Sequence, residues 1–185
     1  GAGRILDFDI GGGSFEFSTG TNALPDAAMS VPLGAGRLTR EFFDEQPPKP
    51  KQVKRLRKYV REQIAPVAEN LLRYGAPDMT VGTSKTFRSL ARICGAAPYS
   101  AGPHVKREMH LQDLRLWTRR MEAMNVEERS DLPGVSKARA EQMLAGAIAA
   151  EAAMEAFGVE TMRVCPWALR EGLILKRIEH LAEGT

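Results

Sequence analysis

The sequence predicts a mixed α/β domain in which helices cover a central sheet, and three features carry that prediction. The chain opens with short apolar runs separated by glycines, which is the pattern of strands joined by hairpins. Long segments with apolar residues three and four positions apart follow, as in amphipathic helices. Two more short apolar runs stand between those helices. A mixed, five-stranded sheet flanked by helices is therefore expected.

The first three strands are predicted within residues 5–33. The stretch I-L-D-F-D-I-G-G-G-S-F-E-F, Ile5–Phe17, reads as two strands joined by a tight glycine turn. A second turn, rich in glycine, asparagine and proline, covers Gly20–Pro25. Apolar residues then alternate over 29–33 and predict the third strand.

Helices account for most of the remaining chain. A short helix is predicted over 36–43, and a long one over 51–74, where Pro66 should kink the helix or divide it in two. A helix through Leu90 and Ile93 is expected after the segment G-T-S-K-T, and later helices are expected over 111–121, 136–157 and 169–181. The last two strands are expected over 79–81 and 162–164.

Length and composition narrow the class of protein. With 185 residues and 43% hydrophobic residues, the chain is expected to form one domain with an ample core. No apolar run reaches the length of a membrane span, and Cys94 and Cys165 stand far apart, which favours a reducing cytoplasm. Because Gly1 leads almost directly into a strand, we expect the chain to be a piece excised from a longer protein.

The glycine turn has the chemistry of a phosphate site. Gly11, Gly12 and Gly13 can adopt a positive φ and bring their amides close to an anion, and Ser14 adds a hydroxyl. The carboxylates of Asp9 and Glu16 flank the turn and could hold a divalent cation. The spacing excludes a dinucleotide fingerprint and a Walker loop. A plain glycine-rich hairpin remains the alternative.

A second candidate anion site follows the fourth predicted strand. The segment G-T-S-K-T is formed by Gly82, Thr83, Ser84, Lys85 and Thr86. Thr83 or Ser84 can cap the next helix, whose free N-terminal amides would then face an anion. Arg37, after the third strand, either faces the phosphate site or is solvated.

The long helix also has a basic face opposite its apolar stripe. It carries Lys51, Lys54, Arg55, Lys58 and Arg61. Such a face is either simply solvated or a surface on which a polyanion binds. A nucleic-acid binder is the weakest alternative: the sequence pI is about 9.0, but only 6% of residues are aromatic and no recognition motif is present.

The segment D-I-G-G-G-S-x-E resembles the phosphate loop of the exopolyphosphatase and guanosine pentaphosphate phosphohydrolase family. Four later segments keep the order of that family: V-P-L-G-A-G-R-L-T at 31–39, V-G-T-S-K-T at 81–86, E-E-R-S-D-L-P-G-V at 127–135 and L-R-E-G-L-I-L at 169–175. The stretches G-T-S-K-T-F-R-S-L-A-R and C-P-W-A-L-R-E-G are most similar to the short actinobacterial form.

This resemblance implies a fold, a reaction and a partner. The fold would be a ribonuclease-H-like half of the actin, hexokinase and heat-shock ATPase group, and residues 1–185 would be the second domain of a two-domain enzyme that lacks its N-terminal domain here. The reaction would be hydrolysis of the terminal phosphoanhydride of polyphosphate or guanosine pentaphosphate, by water and usually with Mg²⁺. Asp9 and Glu16 would hold the metal or orient the water. The principal catalytic glutamate would lie upstream of Gly1.

Several expectations depend on the interpretation that residues 1–185 are one domain of a two-domain enzyme. The chain alone should be inactive, and its open face should favour self-association, with a homodimer as one outcome. The lysine at Lys85 departs from the small residue expected there and would either strengthen phosphate binding or obstruct a nucleotide. Two other classes stay open: a non-catalytic polyphosphate or alarmone sensor, and half of a sugar or acetate kinase.

Overall fold

A computed structural model of the protein describes residues 3–102 and 104–165, and its centre is a six-stranded sheet in the order β3-β2-β1-β4-β6-β5. The strands are β1 (Ile5–Ile10), β2 (Phe15–Gly20), β3 (Ala27–Val31), β4 (Met79–Gly82), β5 (Glu108–His110) and β6 (Thr161–Val164). β1 pairs with β2 in antiparallel and with β4 in parallel orientation, which confirms the mixed sheet.

The expectation of five strands is wrong by one, because β5 was missed. Its sequence, E-M-H, has a single apolar residue, Met109, so no alternation marks it as a strand. β5 is held instead by antiparallel pairing with β6, where Met109 faces Met162 and both side chains are buried.

The helices agree with the predicted order and differ in detail. They are α1 (Ala35–Phe42), α2 (Pro50–Leu72), α3 (Lys85–Ile93), α4 (Leu111–Glu122), α5 (Val126–Ser130), α6 (Lys137–Ala140) and α7 (Met143–Ala156). The prediction that Pro66 could divide α2 is wrong. Pro66 is exposed, so water can bond the carbonyl that the proline leaves free, and the helix continues.

The helix predicted over 136–157 is in fact two helices, α6 and α7. The N–H of Gln142 donates to the carbonyl of Arg139, three residues back, and this tighter turn separates them. The predicted helix over 169–181 and the matching segment at 169–175 lie outside the described residues. Within the described part of the chain, no helix is long and apolar enough to cross a membrane.

The core lies on one face of the sheet. Leu6, Phe8 and Ile10 alternate along β1 and are buried there, and the ring of Phe8 lies 5.3 Å from the ring of Phe17 on β2. Because strand side chains alternate between faces, Asp7 and Asp9 lie on the opposite face. The pattern that builds the core therefore also sets two carboxylates side by side.

Candidate active site

The two predicted anion loops meet at one edge of the sheet. β1 and β4 are parallel neighbours, so the segments that follow them leave the sheet together. The N–H of Thr83 donates to the carbonyl of Phe8 at 3.0 Å, and the hydroxyl of Thr86 donates to the carbonyl of Ile10 at 3.0 Å. These bonds join the second loop to the strand that leads into the first.

Two carbonyls of the glycine loop point towards the first turn of α1. The carbonyl of Gly11 accepts a hydrogen bond from Ala35 at 2.9 Å, and that of Gly12 accepts one from Arg37 at 2.8 Å. Among the described residues, no acceptor takes the N–H groups of Gly12, Gly13 or Ser14. Three consecutive amides are thus free to bind an anion.

One of the two properties predicted for the glycines, a positive φ, is absent from the structure, while the space that an approaching anion needs is present. None of Gly11, Gly12 and Gly13 has a positive φ, so the expected left-handed conformation is not used. A Cβ atom built on Gly12 or Gly13 would meet nothing within 4 Å. The missing side chains therefore leave open space in front of the amides, which is what the close approach of a phosphate needs.

In the second loop, Ser84 is the cap of α3. Its hydroxyl accepts a hydrogen bond from the N–H of Phe87 at 3.3 Å. Lys85 is exposed at the first position of the helix, beside the candidate site. The buried hydroxyl of Thr86 donates its hydrogen bond to the carbonyl of Ile10, so its role among the described residues is to join the two loops.

The two predicted metal ligands face each other across the hairpin. Asp9 and Glu16 are register partners on β1 and β2, and the hydroxyl of Ser30 on β3 donates to Glu16 at 3.1 Å. The hydroxyl of Thr83 donates to Asp9 at 3.3 Å. Burial raises the pKa of Asp9, and this effect exceeds the opposing effect of the Thr83 hydrogen bond.

Asp7 is a third carboxylate of the site, and sequence reasoning missed it. Burial, reinforced by the charge of Asp9, raises its pKa from 3.8 to about 6. Its Oδ1 atom is buried and has no hydrogen-bond partner within residues 3–102 and 104–165. The sequence did contain a pattern that could have identified Asp7. Asp7 and Asp9 stand two residues apart in an otherwise apolar strand, which puts both side chains on one face.

Two arginines were also missed: Arg88, which lies near Asp9, and Arg139, which lies near Arg88. Arg88 of α3 lies close enough to Asp9 for its charge to favour the ionised carboxyl. Arg139 of α6 is half-buried, and burial followed by repulsion from Arg88 lowers the pKa of its guanidinium. No sequence pattern could show this proximity, because 51 positions separate Arg88 from Arg139 and only the packing of α3 near α6 joins them.

The residues fit a magnesium ion only with added ligands. The described part of the chain has no group of three or more histidine, cysteine or acidic side chains arranged to hold a metal. The oxygen donors of Asp9 and Glu16, with the orphaned Oδ1 of Asp7 on the same face, nevertheless suit Mg²⁺. This ion is commonly bound through one or two carboxylates, water and substrate phosphates.

Two of the five basic residues predicted to form a face on α2 contact neighbouring helices. Arg55 is drawn to α1, where it donates to the carbonyl of Phe42 at 3.3 Å and lies over the ring of the same residue. Arg61 pairs with Glu155 on α7. The side chain of Arg37 pairs with Glu41 on the surface, so only its backbone contacts the glycine loop.

The chain has clear relatives among known proteins. The model of the Ppx/GppA phosphatase family matches residues 1–181. Exopolyphosphatase 1 of Mycobacterium leprae is 48% identical over 184 residues, and that of Mycobacterium tuberculosis strain H37Rv is 50% identical over 184 residues; each match covers 100% of this chain and 54% of the relative. The chain thus spans about half the length of these curated relatives.

Solved structures agree on the fold. The crystal structure of the Aquifex aeolicus member of the Ppx/GppA family is 27% identical and superposes with a TM-score of 0.84, covering 99% of this chain and 58% of that chain. An exopolyphosphatase from Cytophaga hutchinsonii is 21% identical with a TM-score of 0.81, covering 96% of this chain and 58% of its own, and shows the fold alone. The fold expected from the motif resemblance is confirmed.

Proposed function

The chain belongs to the Ppx/GppA phosphatase family, and from this premise we propose that it is the phosphate-binding half of an exopolyphosphatase-type phosphohydrolase. The observation that carries the proposal is the pairing of three free amides, at Gly12, Gly13 and Ser14, with carboxylates at the same edge of the sheet. The amides suit an anion and the carboxylates suit a cation that accompanies it. The substrate would be polyphosphate or guanosine pentaphosphate.

In this proposal the residues act mainly by positioning and charge. The loop amides and the hydroxyl of Ser14 hold the terminal phosphoryl group, and the amides at the start of α3 bind from the neighbouring loop. Arg88 offsets the negative charge that the phosphates bring to Asp9, and Arg139 adds positive charge near Arg88. Phosphoryl transfer to water needs little covalent help from the protein, so this arrangement suits the reaction.

Asp9 and Glu16 are the residues proposed to hold Mg²⁺ and to orient the attacking water. A bound Mg²⁺ would supply neutralisation of the charge that develops on the phosphate oxygens. Thr83 fixes the carboxylate of Asp9, and Ser30 fixes that of Glu16, so each ligand is already held by a neighbouring strand or loop.

We further propose that the rest of the full-length protein completes the site. In-line attack requires groups on both sides of the phosphoryl group. The carboxylates and loop amides described above lie at one edge of one sheet, and Arg88 lies near Asp9 on the same side of the phosphoryl group. Because the curated relatives are about twice as long as this chain, they have room for an opposing domain that supplies the other side.

A groove between α2 and α4 is the better candidate for polyanion binding than the predicted face as a whole. Two adjoining cavities of about 480 and 410 Å³ share Arg57, Arg61 and Glu122. The basic residues that line them are Lys54, Arg57, Lys58, Arg61, Arg115 and Arg119. Glu122 and Glu151 pair with Arg57 inside the groove, Glu155 pairs with Arg61 and Arg115, and Lys58 lies 3.8 Å from Glu62. Lys54 and Arg119 make no ion pair with the described residues and add positive charge on the rim.

Crystals of the full-length protein soaked with phosphate or sulfate test the central assignment. We expect an anion against the amides of Gly12–Ser14, or against those of Ser84–Thr86. An anion found only in the groove between α2 and α4, with both loops empty, would contradict the assignment. Turnover then separates the proposed enzyme from a sensor, since a sensor would bind polyphosphate without releasing phosphate.

A further inference from the structure

Gly34 is packed directly against the glycine loop. It is the residue before α1, and its backbone, with φ −66° and ψ 144°, is one that any residue can adopt. A Cβ atom there would nevertheless lie 2.3 Å from the backbone N and C atoms of Gly13 and 2.4 Å from the N atom of Ser14. These are main-chain atoms, which cannot rotate aside, so position 34 needs glycine for space and not for conformation.

The first turn of α1 reaches the loop through two hydrogen bonds. Ala35 and Arg37 donate their N–H groups to the carbonyls of Gly11 and Gly12. In a trans peptide the C=O and the following N–H point in opposite directions. Drawing the carbonyls of Gly11 and Gly12 onto α1 therefore turns the N–H groups of Gly12 and Gly13 away from α1, towards the open side of the loop.

We infer that Gly34 and the first turn of α1 are the element that positions the loop amides for the phosphate. This inference rests on the proposed function, in which those amides bind the anion. It assigns no chemistry to α1, whose amides at Ala35 and Arg37 are already bonded to the loop. The segment V-P-L-G-A-G-R-L-T was identified in the sequence only by its resemblance to the family. Its physical role in this inference is to support the anion-binding loop from the side opposite the bound anion.

Two substitutions in the full-length protein test this role. Gly34→Ala would push the backbone of Gly13 and Ser14 away. Ala35→Pro would remove the donor to Gly11 with little cost to α1, because proline is accepted at the first helical position and the ψ of Gly34 suits a following proline. The control is Gly3→Ala, which sets a Cβ 2.3 Å from Asp78 beyond the other end of β1.

Calorimetric titration with inorganic phosphate, beside thermal unfolding and steady-state kinetics, gives the readout. We expect the phosphate Kd and the KM for polyphosphate to rise about tenfold in folded Gly34→Ala and several-fold in Ala35→Pro, in line with the loss of charge-assisted hydrogen bonds. Gly3→Ala should lower the Tm and leave the Kd unchanged. A merely structural role would reduce the folded fraction without changing the Kd of the molecules that fold.

The outcomes separate this inference from the function on which it rests. Wild-type Kd values in either folded variant would overturn the positioning role while the phosphate site stands. If Gly34→Ala does not fold, Ala35→Pro alone decides. A wild-type protein that binds no phosphate would overturn the proposed function and the positioning role together.

Discussion

The hydroxyl of Thr83 donates a hydrogen bond to the carboxylate of Asp9 at 3.3 Å, so the residue after β4 orients a side chain near the end of β1. The N–H of Thr83 independently donates to the carbonyl of Phe8 at 3.0 Å. The backbone contact joins the two strands. The hydroxyl lies 3.5 Å from the same carbonyl of Phe8, and its hydrogen bonding opposes the rise in the pKa of Asp7 as well as that of Asp9. Substitution of the side chain can therefore separate the site from the fold.

Thr83→Val should weaken catalysis more than stability. Valine keeps the shape of threonine but loses the hydroxyl that stabilises the ionised Asp9, so the pKa of Asp9 should rise further and its affinity for Mg²⁺ should fall. We expect the Mg²⁺ concentration for half-maximal hydrolysis to increase about tenfold, the usual scale for a lost ligand-orienting contact. Thr83→Ser keeps the hydroxyl and should stay near wild type; equal defects in both variants would contradict this role.

Glu16→Gln should lower phosphate release from polyphosphate by about 100-fold or more, the scale of a lost acid, base or charge-stabilising group. The variant should fold, because glutamine still offers an oxygen to the hydroxyl of Ser30. Hydrolysis by the full-length variant at saturating Mg²⁺ is the measurement. Ser30→Ala, which removes only the orienting contact, should show a much smaller loss. Wild-type turnover in Glu16→Gln would rule out its catalytic role.

Asp7→Asn should stabilise the metal-free protein at neutral pH. The pKa of Asp7 is raised from 3.8 to about 6 by burial, so ionising this carboxyl costs folding free energy as the pH rises through that interval. The cost is absent below about pH 3.8 and complete above about pH 6. At about 1.4 kcal/mol per unit, it is on the order of 2 to 3 kcal/mol.

Urea unfolding with a chelator present measures this cost. The Asn variant should be more stable than wild type at pH 7.5, and the difference should shrink as the pH falls towards 4. The activity of the full-length variant should fall at the same time. We expect this because the ionised Asp7 lowers the stability of the fold and is nevertheless present at the site. A difference in stability that does not change with pH would contradict the explanation.

Several parts of this structure could be read from the sequence because local patterns determine them. The apolar stripe of α2, the hairpin of β1 and β2, and the cap at Ser84 each depend on spacing or on a few adjacent residues. β5 could not be read, because its stability comes from pairing with β6 and not from its own residues. The close packing of Gly34 against the glycine loop likewise depends on contacts between segments that are distant in sequence.

The groove between α2 and α4 should matter more for long polyphosphate than for short. Replacing Lys54 and Lys58 by glutamine removes two exposed charges from its rim, and we expect KM for long chains to rise roughly threefold and its salt dependence to weaken. Tripolyphosphate should be little affected. A control with glutamine at Arg73 and Lys106, which are also exposed, removes the same charge elsewhere. Equal effects on both chain lengths would identify the groove as an ordinary solvated surface.

The most direct test of the two-sided site compares phosphate release from polyphosphate, with Mg²⁺, by residues 1–185 and by the full-length protein at equal molar concentration. The account predicts turnover by the full-length protein and almost none by residues 1–185, because the glycine loop, Asp9 and Glu16 hold only one side of the phosphoryl group. Circular dichroism should first show that residues 1–185 are folded. Comparable specific activities would show that these residues contain a whole active site, and would contradict the account.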